Sequence, residues 1–235
     1  CVQTLRNSMT IHSLHLGLRL RGTSARWQRA VAAARVAALA LLLSLPAFAT
    51  GEVHAQENPP KTTIEAFYAT LLGVMKQAKT LGYQGRYAKL EPVVDKTFNL
   101  RDMGRLAIGP QWSKLSPDEQ TRLFDVFRRF TVASYAAQFN GYGGERFEVG
   151  NEVPMQQGNL IVESKLVQGN GSPISMNYLM RKYGDRWQII DVFVDGTLSE
   201  VSRRRSEFTS IIARDGIEGL IKVLEQKIQV LQKSA

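Results

Sequence analysis

The periodicity of apolar residues changes twice along this chain, and no other feature limits its folding as much. From Ile64 to Phe139 the pattern is helical, with Ile64, Phe67, Tyr68, Leu71, Leu72 and Met75 spaced three and four apart. Gly141, Gly143 and Gly144 then interrupt it, and the next fifty residues alternate in short β-like runs. Phe147 to Val149, Leu160 to Val167, Ile174 to Arg181 and Trp187 to Val194 read as four strands, with turns at Gly169 to Ser172 and Gly184 to Asp185. Helical spacing returns at about Leu198 to Ala213 and again at Gly216 to Gln232, where Ile217, Leu220, Ile221, Leu224 and Ile228 share a face. Helices, then a meander of strands, then helices define an α+β fold: a curved antiparallel sheet of about four strands packed against several helices.

Local signals sharpen the helix starts. Thr62 and Glu65 match a capping box, as do Ser116 and Glu119, the second with Pro117 at the first helical position. The second signature predicts a long helix to about Phe139. Between the two, Tyr87, Leu90, Val93, Val94 and Phe98 suggest shorter helical pieces broken by Gly82, Gly85 and Pro92.

The first 55 residues read as an export signal. Arg26, Arg29 and Arg35 flank an apolar run from Val36 to Leu45, and Pro46 precedes the small-x-small pattern of Ala47, Phe48 and Ala49. Cleavage is expected after Ala49 or after Ala55, leaving residues 56–235 as one domain in the periplasm. The run to Ala49 is short of the roughly 20 residues a spanning helix needs, although an uncleaved anchor on a structural protein is the competing reading.

Residue usage beyond that segment excludes several chemistries. Cys1 is the only cysteine, and His12, His15 and His54 are the only histidines. Residues 56–235 therefore offer no thiolate nucleophile, no imidazole and none of the usual transition-metal ligands, so neither a cofactor nor a metal is expected. The formal charge of +9 also falls, because the first 55 residues hold six arginines and one acid, leaving 24 basic against 20 acidic residues. That mild excess does not point to nucleic acid and is compatible with anionic lipid surfaces.

The alternating strands place apolar side chains on one sheet face: Leu160 and Val162, then Ile174, Met176, Tyr178 and Met180, then either Ile190, Val192 and Val194 or Ile189 and Phe193. Helices must cover that face. These residues either fill a solid core or, with Phe127, Phe130 and Phe139 of the long helix standing off, line an apolar cavity. The methionines suit a space that adapts to irregular chains. Asp191 and Asp195, four apart, would share a strand face and could serve a small cone-fold enzyme by proton transfer, or else bond to backbone amides at the strand end. Of Arg203, Arg204 and Arg205, at most two can aim at one target from a helix.

Three stretches carry a family resemblance. Residues 98–136 hold Phe98, Met103, Gly109, Trp112, Gln120, Phe124, Phe127 and Tyr135; residues 185–196 hold Trp187, Asp191 and Gly196; and RRSEF is followed by DGIEGLIKVL. Together they resemble the toluene-tolerance Ttg2 and MlaC family of periplasmic phospholipid-binding proteins. The resemblance implies a non-enzymatic carrier whose lipid tails lie between sheet and helices. Its implied partners are an inner-membrane ABC transporter complex and an outer-membrane lipoprotein complex. Arg205 matches the family's arginine and is the implied headgroup or partner contact, whereas Arg204 stands where the family has tyrosine. Ser199 lies three rather than two positions past Gly196, and GTLSEVSRRRSEF is similar to the hopanoid-associated branch, which widens the implied cargo to a phospholipid or a hopanoid.

Overall fold

A computed structural model describes residues 59–234, and its first helix starts earlier than the capping pattern predicts. Helix α1 spans Pro60–Lys76 with Pro59 as its cap and no side-chain capping bond. Pro60, whose ring presets the helical φ, takes the first position, so Thr62 lies inside the helix and its expected box with Glu65 does not form. The other box forms in full. Helix α4, Pro117–Gln138, opens with the Ser116 side chain accepting from the Glu119 backbone and the Glu119 carboxylate accepting from that of Ser116.

Between them lie α2, Ala78–Thr97, and α3, Leu100–Ile108, followed by a 3-10 turn over Gly109–Lys114. Only one of the three expected breaks in α2 occurs. Gly82 takes φ 57°, a left-handed conformation that glycine adopts without steric cost, while Gly85 and Pro92 stay within the helix. Buried Arg86 ties α2 to α4, its Nε donating to the Ala136 carbonyl at 2.8 Å, while its Nη1 donates to the Ala78 carbonyl in the first turn of α2 at 3.1 Å.

The sheet has five strands in sequential antiparallel order: β1 Arg146–Pro154, β2 Leu160–Val167, β3 Pro173–Tyr183, β4 Arg186–Val194 and a two-residue β5, Leu198–Ser199. Strand β1 runs well past the apolar Phe147 to Val149, because a register shift between Val149 and Glu152 lets the exposed polar half keep pairing with β2. The final helix α5, Glu200–Ser234, is the expected pair of helices in series, divided where Gly216 takes φ 70°.

One irregularity in β4 aims the inner face. Leu179 pairs with Asp191 but Met180 pairs with Ile189, so Ile190 is the extra residue of a bulge. Strict alternation would bury one set or the other. The bulge instead buries Ile189, Ile190, Val192 and Val194 together, while Phe193 is half-buried. The junction of α2 and α3 docks on that irregularity: the Asn99 backbone donates to the Ile189 carbonyl at 2.8 Å, and its side chain caps α3 by accepting from Asp102 at 3.0 Å. Among the described residues, no helix is long and apolar enough to cross a membrane. The expected export segment lies outside the described residues.

Candidate functional site

Cross-strand register sorts the inner face into rows. Val162, Tyr178 and Val192 stand side by side on β2, β3 and β4; Leu160, Met180 and Ile189 form the next row, and Met176 pairs with Val194. Directly paired residues point to the same face, so these rows form one continuous apolar surface. Val162, Tyr178, Met180 and Ile189 are fully buried, and Leu160 at the margin is half-buried.

Helices α1 and α4 lay aromatic rings over this surface. Phe67 is the hub, with ring centroids 5.4 Å from Phe98, 5.6 Å from Tyr135 and 6.4 Å from Tyr178, all edge-on. Tyr68 stacks on Phe147 at 4.2 Å, and Phe139 stacks on Tyr135 at 5.8 Å. Edge-to-face and offset contacts of this kind add cohesion beyond area burial. In this structure side chains of the helical cover therefore pack directly against the sheet face.

The layer contains few polar atoms. The Tyr68 hydroxyl is hydrogen-bonded to Ser164 Oγ at 2.6 Å, and Ser164 Oγ also donates to the Met176 carbonyl. The Tyr178 hydroxyl is buried with no hydrogen-bond partner among the described residues. Burial pushes the Tyr68 phenol up to about 12 and raises Tyr135 and Tyr178 as well, so all three remain neutral at physiological pH.

The three phenylalanines expected from the long helix separate. Phe139 joins the aromatic layer. Phe127 packs against Phe208 of α5 and Gly104 of α3, and helps line a small cleft of about 10 Å³ with Arg101, Trp112 and Phe124. Phe130 is half-buried beneath two cations from α5, the Arg204 guanidinium at 4.9 Å and the Lys227 ammonium at 6.0 Å. Tyr135, rather than Phe127 or Phe130, is the α4 ring that meets the hub. Four aromatic contributors, Phe67, Tyr68, Phe98 and Tyr135, were visible in the sequence only as helix-face or family-pattern positions, since nothing local says that their helices converge on Tyr178.

Arginines 204 and 205 differ in burial and in partners. Arg205 is exposed, and its Nε donates to the Leu106 carbonyl at 2.7 Å, closing the last turn of α3. Arg204 points inward with 12% of its side chain exposed, 3.9 Å from Glu200 and over the Phe127 ring at 5.6 Å. Its Nη1 is buried without a hydrogen-bond partner among the described residues.

Asp191 and Asp195 do not share a face. Asp195 has left the strand, with φ 51° in an exposed turn. Asp191 is buried, its Oδ1 accepting from the backbones of Val192 at 2.7 Å and Val201 at 3.1 Å, and its Oδ2 from the Ser199 hydroxyl at 2.5 Å. The paired-carboxylate geometry expected for proton transfer is therefore absent, because the strand ends at Val194. Among the described residues, no group of three or more acidic, histidine or cysteine side chains is placed to hold a metal ion.

Fold and site together define an α+β protein in which a curved antiparallel sheet and a helical cover meet across an apolar, aromatic layer. Residues 65–226 match the family model described as MlaC protein, and the chain belongs to the MlaC family. Among solved structures it is similar to a phospholipid-binding protein from Ralstonia solanacearum, determined in complex with a phospholipid. That similarity has a TM-score of 0.65 at 19% identity, over 73% of this chain and 98% of the other. No curated protein matches the chain.

Proposed function

We propose that this protein is an exported lipid carrier that shelters acyl or polycyclic lipid tails between α1, α4 and the sheet. The row Val162, Tyr178 and Val192 facing Phe67 carries the proposal: both walls of the layer are apolar. The likeness to a structure solved with phospholipid supports the same reading. Each CH₂ withdrawn from water contributes about 0.8 kcal/mol, so ten of them supply about 8 kcal/mol toward parting the helices from the sheet. A carrier of this kind needs no strong polar motif, and with Asp191 engaged by three donors no catalytic role is assigned to it.

Membership of the MlaC family supports a place between an outer-membrane lipoprotein complex and an inner-membrane ABC transporter, with the protein moving through the periplasm after removal of its first 49 or 55 residues. The extra residue before Ser199 favours the hopanoid-associated branch, with a hopanoid as cargo beside diacyl phospholipid. Purification from the native host under non-denaturing conditions, followed by native mass spectrometry and lipid extraction, tests this directly. One lipid per chain is expected, and its identity decides between the two cargoes. A protein that arrives empty and takes no lipid from vesicles would falsify the carrier reading. Amino-terminal sequencing of the same sample should begin at Thr50 or Gln56.

A further inference from the structure

The aromatic layer has a cationic end that the carrier function does not by itself require. Arg204 is the only one of the three consecutive arginines turned into the molecule, where its guanidinium lies over Phe127 and Phe130. Glu200 is 3.9 Å from Nε, too long for a tight pair, and Nη1 has no acceptor among the described residues. An unsatisfied N–H on a largely buried cation is costly, so Nη1, which neither Glu200 nor the two rings satisfies, is open to an acceptor that arrives with a ligand. Lys227 also lies over the half-buried Phe130, paired with Glu207, and Arg203 pairs with Glu200 at 2.8 Å. Two acids thus stand among three cations. Tyr135 links this cluster to the hub: its hydroxyl lies within the field of Glu200 and Arg204, and its ring is 5.6 Å from Phe67.

Resting on the carrier reading, we infer that Arg204 recognises the anionic group of the bound lipid: tails lie along the Phe67–Tyr178 layer, and a phosphate or carboxylate oxygen accepts from Nη1 at its α5 end. The cargo is accordingly an acidic amphiphile in preference to a zwitterionic one. A planar guanidinium suits this task because it offers directed donors to a carboxylate or phosphate and still stacks on rings.

The test uses the full chain, stripped of lipid and mixed with vesicles of equal parts dioleoyl phosphatidylglycerol and dioleoyl phosphatidylcholine, with bound lipid counted by native mass spectrometry. The wild type is expected to enrich the anionic lipid about tenfold, as one charge-assisted hydrogen bond implies. Arg204→Gln and Arg204→Tyr should bring the ratio close to one while total bound lipid persists, and Arg204→Lys should retain part of the preference. Melting curves establish that each variant folds; should Gln fail, Arg204→Tyr decides. A wild type that binds both lipids equally, or a preference that survives in the folded variants, overturns the assignment and leaves the carrier reading standing. A wild type that binds neither lipid removes both. A further arm adds millimolar inorganic phosphate alone. If phosphate stabilises the wild type but not Arg204→Gln, and vesicle lipids are not discriminated, the site takes a free anion and the headgroup assignment falls.

Discussion

The Asp191 carboxylate accepts the backbone N–H of Val201 at 3.1 Å, so the last full strand of the sheet caps the helix that follows it. The same carboxylate holds the Ser199 hydroxyl and the Val192 N–H, locking β4, β5 and α5 into one corner. Asp191→Ala should therefore destabilise the fold by about 1–3 kcal/mol, the range for losing a cap and buried bonds to a charged acceptor. Asp195→Asn, in an exposed turn, should stay within about 0.5 kcal/mol. Urea titration measures both. Loss of lipid transfer by a stable Asp195→Asn would instead revive the enzymatic alternative.

Filling the tail layer provides a second prediction. Val162 and Val192 flank Tyr178 in one row and are buried against the helical cover. Val162→Trp or Val192→Trp overpacks that row, costing typically about 1–3 kcal/mol in the lipid-free protein. Lipid recovered per chain should fall at the same time. Unchanged lipid content in a destabilised variant would place the tails elsewhere.

Alkaline pH probes the buried phenols. Burial raises Tyr68 to about 12 and Tyr178 upward as well, whereas in the unfolded chain both ionise near 10. A raised folded-state value means that the stability contribution is complete below pH 10 and is lost as pH climbs toward the folded value, since unfolding then releases the protons. Each tyrosine should contribute a slope of up to about 1.4 kcal/mol per pH unit in that window. Thermal melts from pH 9 to 12 should show the decline. Tyr178→Phe, which also removes a hydroxyl without a partner, should shallow the slope and leave neutral-pH stability unchanged or higher.

Two capping substitutions should separate although the sequence treats their sites alike. Ser116→Ala removes a formed capping box and should cost about 0.5–2 kcal/mol. Thr62→Ala, inside a helix already begun by Pro60, should change stability by no more than about 0.5 kcal/mol. Equal losses at both sites would mean that α1 starts at Thr62 in solution.

Local and nearest-neighbour chemistry was legible in the sequence alone: the switch from helical to alternating periodicity, the capping box at Ser116, the hairpin turns, the break at Gly216 and the absence of histidine and cysteine after residue 55. These depend on a few adjacent residues, whose backbone preferences act before any long-range contact forms. Three features were decided only by tertiary structure. Ile189, Ile190, Val192 and Val194 are buried together because β4 bulges against β3, and a bulge is a property of two strands in register. Tyr135 meets Phe67, which in turn meets Tyr178, while Phe127 turns to Phe208, because the packing of α4 between its neighbours decides which flank of the helix meets which of them. Arg204 turns inward and Arg205 is exposed because Asp191, held in the sheet, sets the rotation at which α5 leaves it, and a single step along a helix turns a side chain by about 100°.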